Sequence, residues 1–251
     1  MNKHYSFILA TLVVLLSACG SYKNIPYYQD LERTKQIDVP VSNFSPLTIS
    51  PNDILGVKVS SRTPESSAIF SYEPSNNQAS AIPGYQVDAN GMVHLPVIGS
   101  VKAAGLTTTQ LQETLNKKLL EYYKDPVANV RILNFKVSVY GDVERPNVYT
   151  LENERTTITQ ALSLAGDLNI TAMRKNIILV REEAGTRRFI PIDLTSKKIF
   201  DSPYYYVRNN DEIYVQPDRT KYATVDRGYR TPTLVLSGLS IIAIVLSNIY
   251  R

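Results

Sequence analysis

The longest apolar runs of this sequence lie at its two ends, which leaves the middle of the chain to form the folded body. The first run covers residues 7–16, and the second extends without a charge from residue 233 to residue 250. The chain has one cysteine, Cys19, so the body cannot rest on disulfides and must be stabilised by a hydrophobic core. Without the first run about 230 residues remain, enough for two modest domains.

The N-terminal run has the layout of a secretory signal peptide, residues 1–18. Lys3 precedes an apolar segment that is too short to span a bilayer, and small residues follow it. The stretch from Leu16 to Cys19, Leu-Ser-Ala-Cys, resembles the lipobox of bacterial lipoproteins. This resemblance implies cleavage between Ala18 and Cys19, acylation of Cys19, and an anchor in the outer-membrane lipid with the body in the periplasm. The alternative is an ordinary secreted chain with an incidental cysteine.

The net charge of +4 does not belong to the folded body. Acidic and basic side chains are equal in number in residues 20–46, 47–135 and 136–217, so the excess comes from Lys3 and from residues 218–251. A nucleic-acid-binding domain needs a basic face, and this distribution argues against one. Positive charge beside apolar segments fits contact with anionic lipid instead.

Residues 19–46 predict a lipidated polar tether, and residues 47–135 predict a first domain with a hairpin and a helix. Val87 and Val93 flank Asn90-Gly91, the dipeptide that favours a type I′ turn. A capping box and a helical repeat of apolar residues predict the helix. The box is Thr107 with Gln110, and the apolar face is Leu111, Leu115, Leu119 and Tyr122. Between strand and hairpin, residues 63–84 predict a long loop.

The stretch VDANGMVHLPVIGSVKAAGLTTTQLQETLNKKLLEYYKDPVANV resembles the polysaccharide export domain of Wza-type outer-membrane proteins. In that family a Val-Asp-x-x-Gly hairpin, a Leu-Pro-x-Ile-Gly strand, a Gly-Leu-Thr helix start and an Asp-Pro-x-x-x-Val strand recur in this order. The resemblance implies that residues 47–135 are an export domain and that the chain has an α+β fold, in which a β-grasp domain and a C-terminal transmembrane helix follow.

Residues 136–217 predict a second domain in which a strand pair, a short helix and further strands follow one another. Thr157 and Gln160 form a second capping box, and Gly166 suits the position after the helix. This order resembles the small β-grasp module called SLBB, which follows the export domain in the same family. The sequences NDIL at Asn52 and NDEI at Asn210 echo one another, which we interpret as shared turn chemistry rather than duplication.

No catalytic site, metal site or cofactor is predicted. After the signal peptide the chain has one histidine, His94, on a predicted strand, where a structural role is far more common. The pair Glu182-Glu183 lies beside a turn glycine and predicts a solvated face. The tyrosines Tyr204, Tyr205 and Tyr206 predict a glycan or subunit contact, since tyrosine offers area with a polar tip. The alternative is an edge strand with alternate rings buried.

The tail predicts a basic linker, residues 218–231, followed by a transmembrane helix, residues 232–250. Its helical period places five polar residues near one stripe, which would face a lumen: Thr233, Ser237, Ser240, Ser247 and Asn248. The resemblance to Wza-type proteins implies a homo-oligomeric ring whose C-terminal helices form an outer-membrane barrel. The alternative is a plain anchor that packs through its small residues.

The resemblance implies a lipoprotein subunit of a ring-shaped channel that exports capsular polysaccharide or exopolysaccharide. Its partners would be further copies of the chain, the polysaccharide in transit, outer-membrane lipid and an inner-membrane polysaccharide copolymerase. A second hypothesis is a bitopic periplasmic β-grasp scaffold that binds glycan or peptidoglycan without conducting it. A glycan-processing enzyme ranks last, because the sequence offers no catalytic constellation.

Overall fold

The computed structural model describes residues 25–41, 43–62, 70, 84–183, 185–222 and 227–249 of the 251-residue chain. In the last of these ranges the described side chains are those of residues 235–245 and 248. The predicted signal peptide and the lipobox residues Ala18 and Cys19 lie outside the described residues. So does most of the predicted long loop at 63–84.

The first domain is built on a small antiparallel sheet. Strand β1 lies between β2 and β5. Side chains along β1 alternate between buried and accessible because successive residues of a strand point to opposite faces. Leu55, Val57 and Val59 form the buried face, and the helix α1 packs against β5. The elements are β1 (Ile54–Ser60), β2 (Tyr85–Gln86), β3 (Met92–Leu95), β4 (Gly99–Lys102), α1 (Thr108–Leu119) and β5 (Val127–Ile132).

The capping box predicted for α1 is present. The Thr107 hydroxyl accepts a hydrogen bond from the Gln110 backbone at 3.2 Å, and the Thr107 backbone donates to the Gln110 side chain at 2.9 Å. The predicted apolar face is confirmed for three of its four members, since Leu111, Leu115 and Leu119 are fully buried. Tyr122 was assigned wrongly: the helix ends at Leu119, so Tyr122 lies beyond it and is 55% exposed.

The predicted hairpin forms with Val87 opposite Val93, but its turn is not type I′. A type I′ turn needs a positive φ at both central residues. Gly91 has φ +76°, but the φ of Asn90 is not positive. The turn is instead closed by Asp88, whose carbonyl accepts from Gly91 at 2.9 Å and whose carboxylate accepts from Met92 at 2.8 Å. Strands β3 and β4 then form a second hairpin.

The second domain is a five-stranded mixed sheet in the order β7-β6-β10-β8-β9. The central pair β6 and β10 is parallel and the other pairs are antiparallel, with one helix between β7 and β8 in sequence. This is the β-grasp arrangement that the sequence predicted. The elements are β6 (Lys136–Gly141), β7 (Asn147–Thr150), α2 (Ile158–Leu164), β8 (Ala172–Glu183), β9 (Thr186–Ile192) and β10 (Glu212–Pro217).

Local sequence signals place α2 and its ends. The Thr157–Gln160 capping box is complete, and Gly166 follows the helix with φ +80°, as predicted. Gly141 at the end of β6 has φ +99°, and a Cβ there would lie 2.1 Å from the Val215 carbonyl oxygen. Only glycine therefore allows β6 and β10 to approach each other at this point.

The two turns that echo each other in sequence share their geometry. Asn52 and Asn210 both have a positive φ, 72° and 64°. The following carboxylates, Asp53 and Asp211, each accept the backbone N–H three residues earlier, at 2.8 and 2.7 Å. Shared turn chemistry accounts for this likeness.

The prediction of a membrane-spanning helix at residues 232–250 is not supported. A helix α3 does form, but it covers Arg227–Ile249 and so begins inside the predicted basic linker, after a 3-10 turn at Arg219–Tyr222. A membrane crossing needs about 20 consecutive, predominantly apolar residues. Across the described residues, no helix combines the length and the apolar character for such a crossing.

Candidate functional site

The predicted tether is docked on the second domain, as far as it is described. We call residues 25–41 and 43–46 the tether segment. The Tyr28 backbone donates a hydrogen bond to the Leu194 carbonyl at 3.1 Å, and the Gln29 backbone donates to the Thr195 carbonyl at 2.6 Å. These two backbone bonds attach a turn of the tether segment, in which Tyr28 has φ 50°, to the chain that follows β9.

Side chains fix the tether segment at two further points. The Asp30 carboxylate accepts hydrogen bonds from the Ser196 hydroxyl at 2.7 Å and from the Lys197 backbone at 2.6 Å. These bonds hold the pKa of Asp30 below its usual value. Fourteen positions further along the chain from Gln29, the Asn43 amide donates to the Phe200 and Ser202 carbonyls, each at 2.7 Å.

Between these attachment points the tether segment forms one wall of a cleft. The cleft has a volume of about 700 Å³. The tether wall carries the apolar side chains of Ile37, Val39 and Val41, which are all exposed. The opposite wall belongs to the second domain and carries aromatic and charged side chains, among them Arg155, Phe200, Tyr205 and Tyr206.

Five aromatic rings run continuously along the cleft and beneath it. Tyr28 contacts Phe200 with ring centroids 4.7 Å apart, and Phe200 contacts Tyr205 at 5.4 Å. Tyr205 meets Tyr206 at 5.2 Å, and Tyr206 meets Phe44 of the tether segment at 5.1 Å. The last three pairs are edge-to-face, the arrangement that the ring quadrupoles favour. The rings therefore hold one another in place while leaving surface toward the cleft.

Arg155 is the cation of this cluster. Its guanidinium carbon lies 4.7 Å from the Phe44 ring centroid and 5.5 Å from that of Tyr206, and it donates to the Tyr206 hydroxyl at 3.2 Å. The side chain is exposed, and within the described part of the chain it forms no ion pair. The rings thus hold Arg155 through cation–π contacts while its positive charge stays without a carboxylate.

The three consecutive tyrosines are divided between two environments. Tyr205 and Tyr206 line the cleft, whereas Tyr204 lies with its ring centroid 5.5 Å from the buried Arg181 guanidinium. The alternative of an edge strand with alternate rings buried is wrong. Residues 204–206 form no strand, apart from one isolated bridge between Tyr206 and Thr157, and all three rings are half-buried.

The tail residues predicted to face a lumen lie on α3. Ser237, Ser240 and Asn248 are exposed, and the Ser240 hydroxyl donates to the Ser237 carbonyl at 2.8 Å. The side chains of Thr233 and Ser247 lie outside the described ones. The apolar face is exposed as well, including Leu239 and Ile242, so the described side chains of α3 are uncovered on both of its faces in the single chain.

His94 bridges two neighbours on the exposed side of the first domain. Its Nδ1 lies 2.8 Å from the Ser100 hydroxyl and its Nε2 lies 3.5 Å from the Asp88 carboxylate. Ser100 is the residue paired with His94 across β3 and β4, and Asp88 closes the turn before them. The contacts therefore fit a role in holding the two hairpins together. No cluster of three or more potential metal ligands occurs among the residues that the structure describes.

Sequence reasoning found two of the cleft tyrosines but missed Phe44, Arg155 and the docking of the tether segment. One signal was present. Ile37, Val39 and Val41 alternate with polar residues or proline, which indicates an extended segment with two different faces. Arg155 had no such signal, because only the fold brings it to Phe44, 111 positions away in sequence.

Comparison with known proteins agrees with this architecture. A family described as polysaccharide biosynthesis/export protein matches residues 42–133, and the SLBB domain matches residues 136–190. The chain is 25% identical over 226 residues to the EPS I polysaccharide export outer membrane protein EpsA of Ralstonia solanacearum, covering 82% of this chain and 60% of the relative. The EpsA protein of Ralstonia nicotianae is 30% identical over 96 residues, covering 37% of this chain and 25% of the relative.

The chain thus spans 60% or less of the length of these curated relatives. Its two matched regions are consecutive and in the same order as the two domains of the structure. By this succession of an export domain and an SLBB domain, the chain belongs to the Wza-type family of polysaccharide export proteins.

Proposed function

We propose that this protein is an outer-membrane component of a machinery that exports an exopolysaccharide or a capsular polysaccharide. The observation that carries this proposal is the export domain followed directly by an SLBB domain, in a chain similar to EpsA. The cleft supports it, because tyrosine rings and an arginine that pairs with none of the described carboxylates are groups that can contact a sugar chain. The protein would provide a passage and catalyse no reaction.

We further propose that Cys19 is acylated and that the lipid holds the second domain close to the membrane. Tyr28, the first residue of the tether segment with a backbone bond to the second domain, lies nine positions after Cys19. An extended chain covers at most about 3.3–3.6 Å per residue, so this distance is at most roughly 30 Å. Replacing Cys19 with serine should abolish labelling with radioactive palmitate, and persistent labelling would mean that the lipobox interpretation is wrong.

Copies of the chain would assemble into a ring through which the polymer passes. The exposed apolar side chains of α3 support self-association, because soluble monomers rarely leave such a surface uncovered. In the ring, Thr233, Ser237, Ser240, Ser247 and Asn248 would face the lumen, and a polysaccharide copolymerase of the inner membrane would deliver the polymer. Mass photometry of the detergent-extracted protein tests this assembly, and a purely monomeric mass would contradict it.

Deletion of the gene in its own bacterium tests the export function. Polysaccharide should disappear from the cell surface and the medium and accumulate inside the cell envelope, and expression of the wild-type protein should restore secretion. Both fractions can be measured by sugar analysis of the medium and of osmotic-shock fluid. Unchanged secretion in the deletion strain would contradict an export role and favour a scaffold that binds glycan without conducting it.

A further inference from the structure

We propose that the cleft between the tether segment and the second domain is a binding site for acidic sugars, in which Arg155 pairs with a sugar carboxylate. Tyr205 and Tyr206 would pack against the apolar face of a neighbouring sugar ring. The inference deepens the proposed function and rests on it in one respect, namely that the protein handles a polysaccharide.

The dimensions and lining of the cleft suit an oligosaccharide. Its volume of about 700 Å³ lies inside the range of roughly 300–1,000 Å³ that is typical of small-molecule sites. Such sites combine an apolar lining with a few polar groups that fix orientation. Here Val39 and Val41 supply apolar surface on one side, and the hydroxyl-bearing rings of Tyr205 and Tyr206 supply mixed surface on the other. A sugar ring has the same mixture, with C–H groups on its faces and hydroxyls at its rim.

The aromatic surface is ordered before any ligand binds. Tyr206 is held between Tyr205 and Phe44 by edge-to-face contacts at 5.2 and 5.1 Å. Its backbone carbonyl also accepts a hydrogen bond from the buried Arg181 at 3.0 Å. Side chains that are already fixed lose little entropy on binding, which favours affinity. The half-buried rings are therefore suited to stacking on a ligand.

The charge of the cleft selects an anion. Its charged lining residues are Arg155, Lys197 and Asp201, so cations outnumber carboxylates. The Arg155 guanidinium lies against two rings and one hydroxyl, yet none of its described partners is a carboxylate. A guanidinium binds a carboxylate through two parallel hydrogen bonds, with a strength and a directionality that neutral hydroxyls do not offer. The geometry thus favours a uronic-acid residue over a neutral sugar.

The site depends on the docked tether segment. Phe44, which carries the closest ring to Arg155, belongs to this segment, and Asn43 beside it is bound to the Phe200 and Ser202 carbonyls. Undocking would remove one wall and one of the two rings that hold the guanidinium. A ligand that binds only the complete cleft stabilises the docked state by mass action. Sugar binding would therefore tighten the attachment of the N-terminal segment to the second domain.

Isothermal titration calorimetry of the purified full-length mature protein tests the inference, with hexagalacturonate as acidic probe and maltohexaose as neutral probe of equal length. We expect hexagalacturonate to bind at least about tenfold more tightly than maltohexaose, and Arg155→Gln to weaken hexagalacturonate binding by about tenfold or more. Arg187→Gln, which removes an exposed arginine on β9 that does not line the cleft, is the matched control and should bind like the wild type.

Circular dichroism should show that both variants are folded, and the Nε–Hε signal of Arg155 in an NMR spectrum should shift when hexagalacturonate is added. Absence of hexagalacturonate binding, equal affinity for the two probes, or equal weakening by the two substitutions would each overturn the inference. These outcomes are distinct from failure of the proposed function. A deletion strain that stops secretion while the protein ignores hexagalacturonate contradicts the cleft alone, and normal secretion with intact binding contradicts export alone.

Discussion

Replacing Asp211 with alanine is expected to lower the free energy of unfolding of the second domain by about 3–5 kcal/mol. The Asp211 carboxylate is 1% exposed and accepts bonds from Arg181 Nε at 2.9 Å and from Arg181 Nη2 at 2.7 Å. It also accepts the backbone N–H of Arg208 at 2.7 Å. The Arg181 side chain is 3% exposed, so alanine at position 211 would leave a buried guanidinium without its anion.

The double substitution Arg181→Met with Asp211→Leu separates the ion pair from the packing around it. Removing both charges avoids an uncompensated buried charge, and such replacements are often neutral or stabilising. We therefore expect the double variant to lose much less stability than Asp211→Ala. It would also free the Tyr206 carbonyl from Arg181, so its affinity for hexagalacturonate should fall even though the domain remains folded.

Urea unfolding followed by far-ultraviolet circular dichroism gives these free energies by linear extrapolation, which suits a chain without tryptophan. The matched control is Glu182→Ala. Its carboxylate pairs with Arg187, but both side chains are more than half exposed, so solvent screens the pair and no measurable change is expected. The reasoning is refuted if Asp211→Ala is as harmless as Glu182→Ala, or if the double variant loses as much stability as Asp211→Ala.

Three further predictions concern stability; the first and the third use the same urea assay, and the second is measured by the yield of soluble protein. Thr107→Ala should cost about 1 kcal/mol through the lost cap, whereas Leu115→Ala should cost about 2–5 kcal/mol through a core cavity; equal and negligible costs would contradict a packed α1. Gly141→Ala should yield no soluble second domain, because its Cβ would meet a carbonyl oxygen at 2.1 Å, and a soluble, wild-type-like variant would disprove this close approach. Burial alone would raise the pKa of Asp142, but hydrogen bonds from Lys221 and two other side chains hold it below its usual value. Stability should therefore fall as pH drops below about 4, and Asp142→Asn should make this fall smaller, the rest being due to other carboxylates with lowered pKa values such as Asp30.

Local signals in the sequence predicted most of the elements correctly. Both capping boxes, at Thr107 and Thr157, form as the spacing of threonine and glutamine indicated, because they join groups only three residues apart. The order of strands and helix in the second domain was also accessible, because turn residues separate these elements, and the resemblance to SLBB modules implied their β-grasp arrangement. These features depend on neighbours along the chain, and a single sequence contains them completely.

The errors arose where distant contacts or backbone geometry decide the outcome. Asn90-Gly91 favours a type I′ turn in isolation, but the Asp88 carboxylate binds the Met92 backbone and selects a different turn. The tether segment was interpreted as a free polar linker because its docking uses backbone groups of residues 194–202, which no composition reveals. The cleft could not be predicted for the same reason, since Phe44, Arg155 and Tyr206 come from three separate parts of the chain.

The central place of β10 in the second sheet also determines when the domain can fold. β10 is the last strand in sequence, yet it lies between β6 and β8, and its parallel register joins Glu212 to Ser138 across most of the domain. Closing so long a loop costs entropy before any contact compensates for it, which makes folding slow. Until residue 217 has been synthesised, β6 and β8 each have one edge without the strand that pairs with it in the folded sheet. The second domain therefore cannot complete its sheet before β10 has been synthesised, and a nascent chain that ends earlier stays in the unfolded form that a narrow protein-conducting channel accepts.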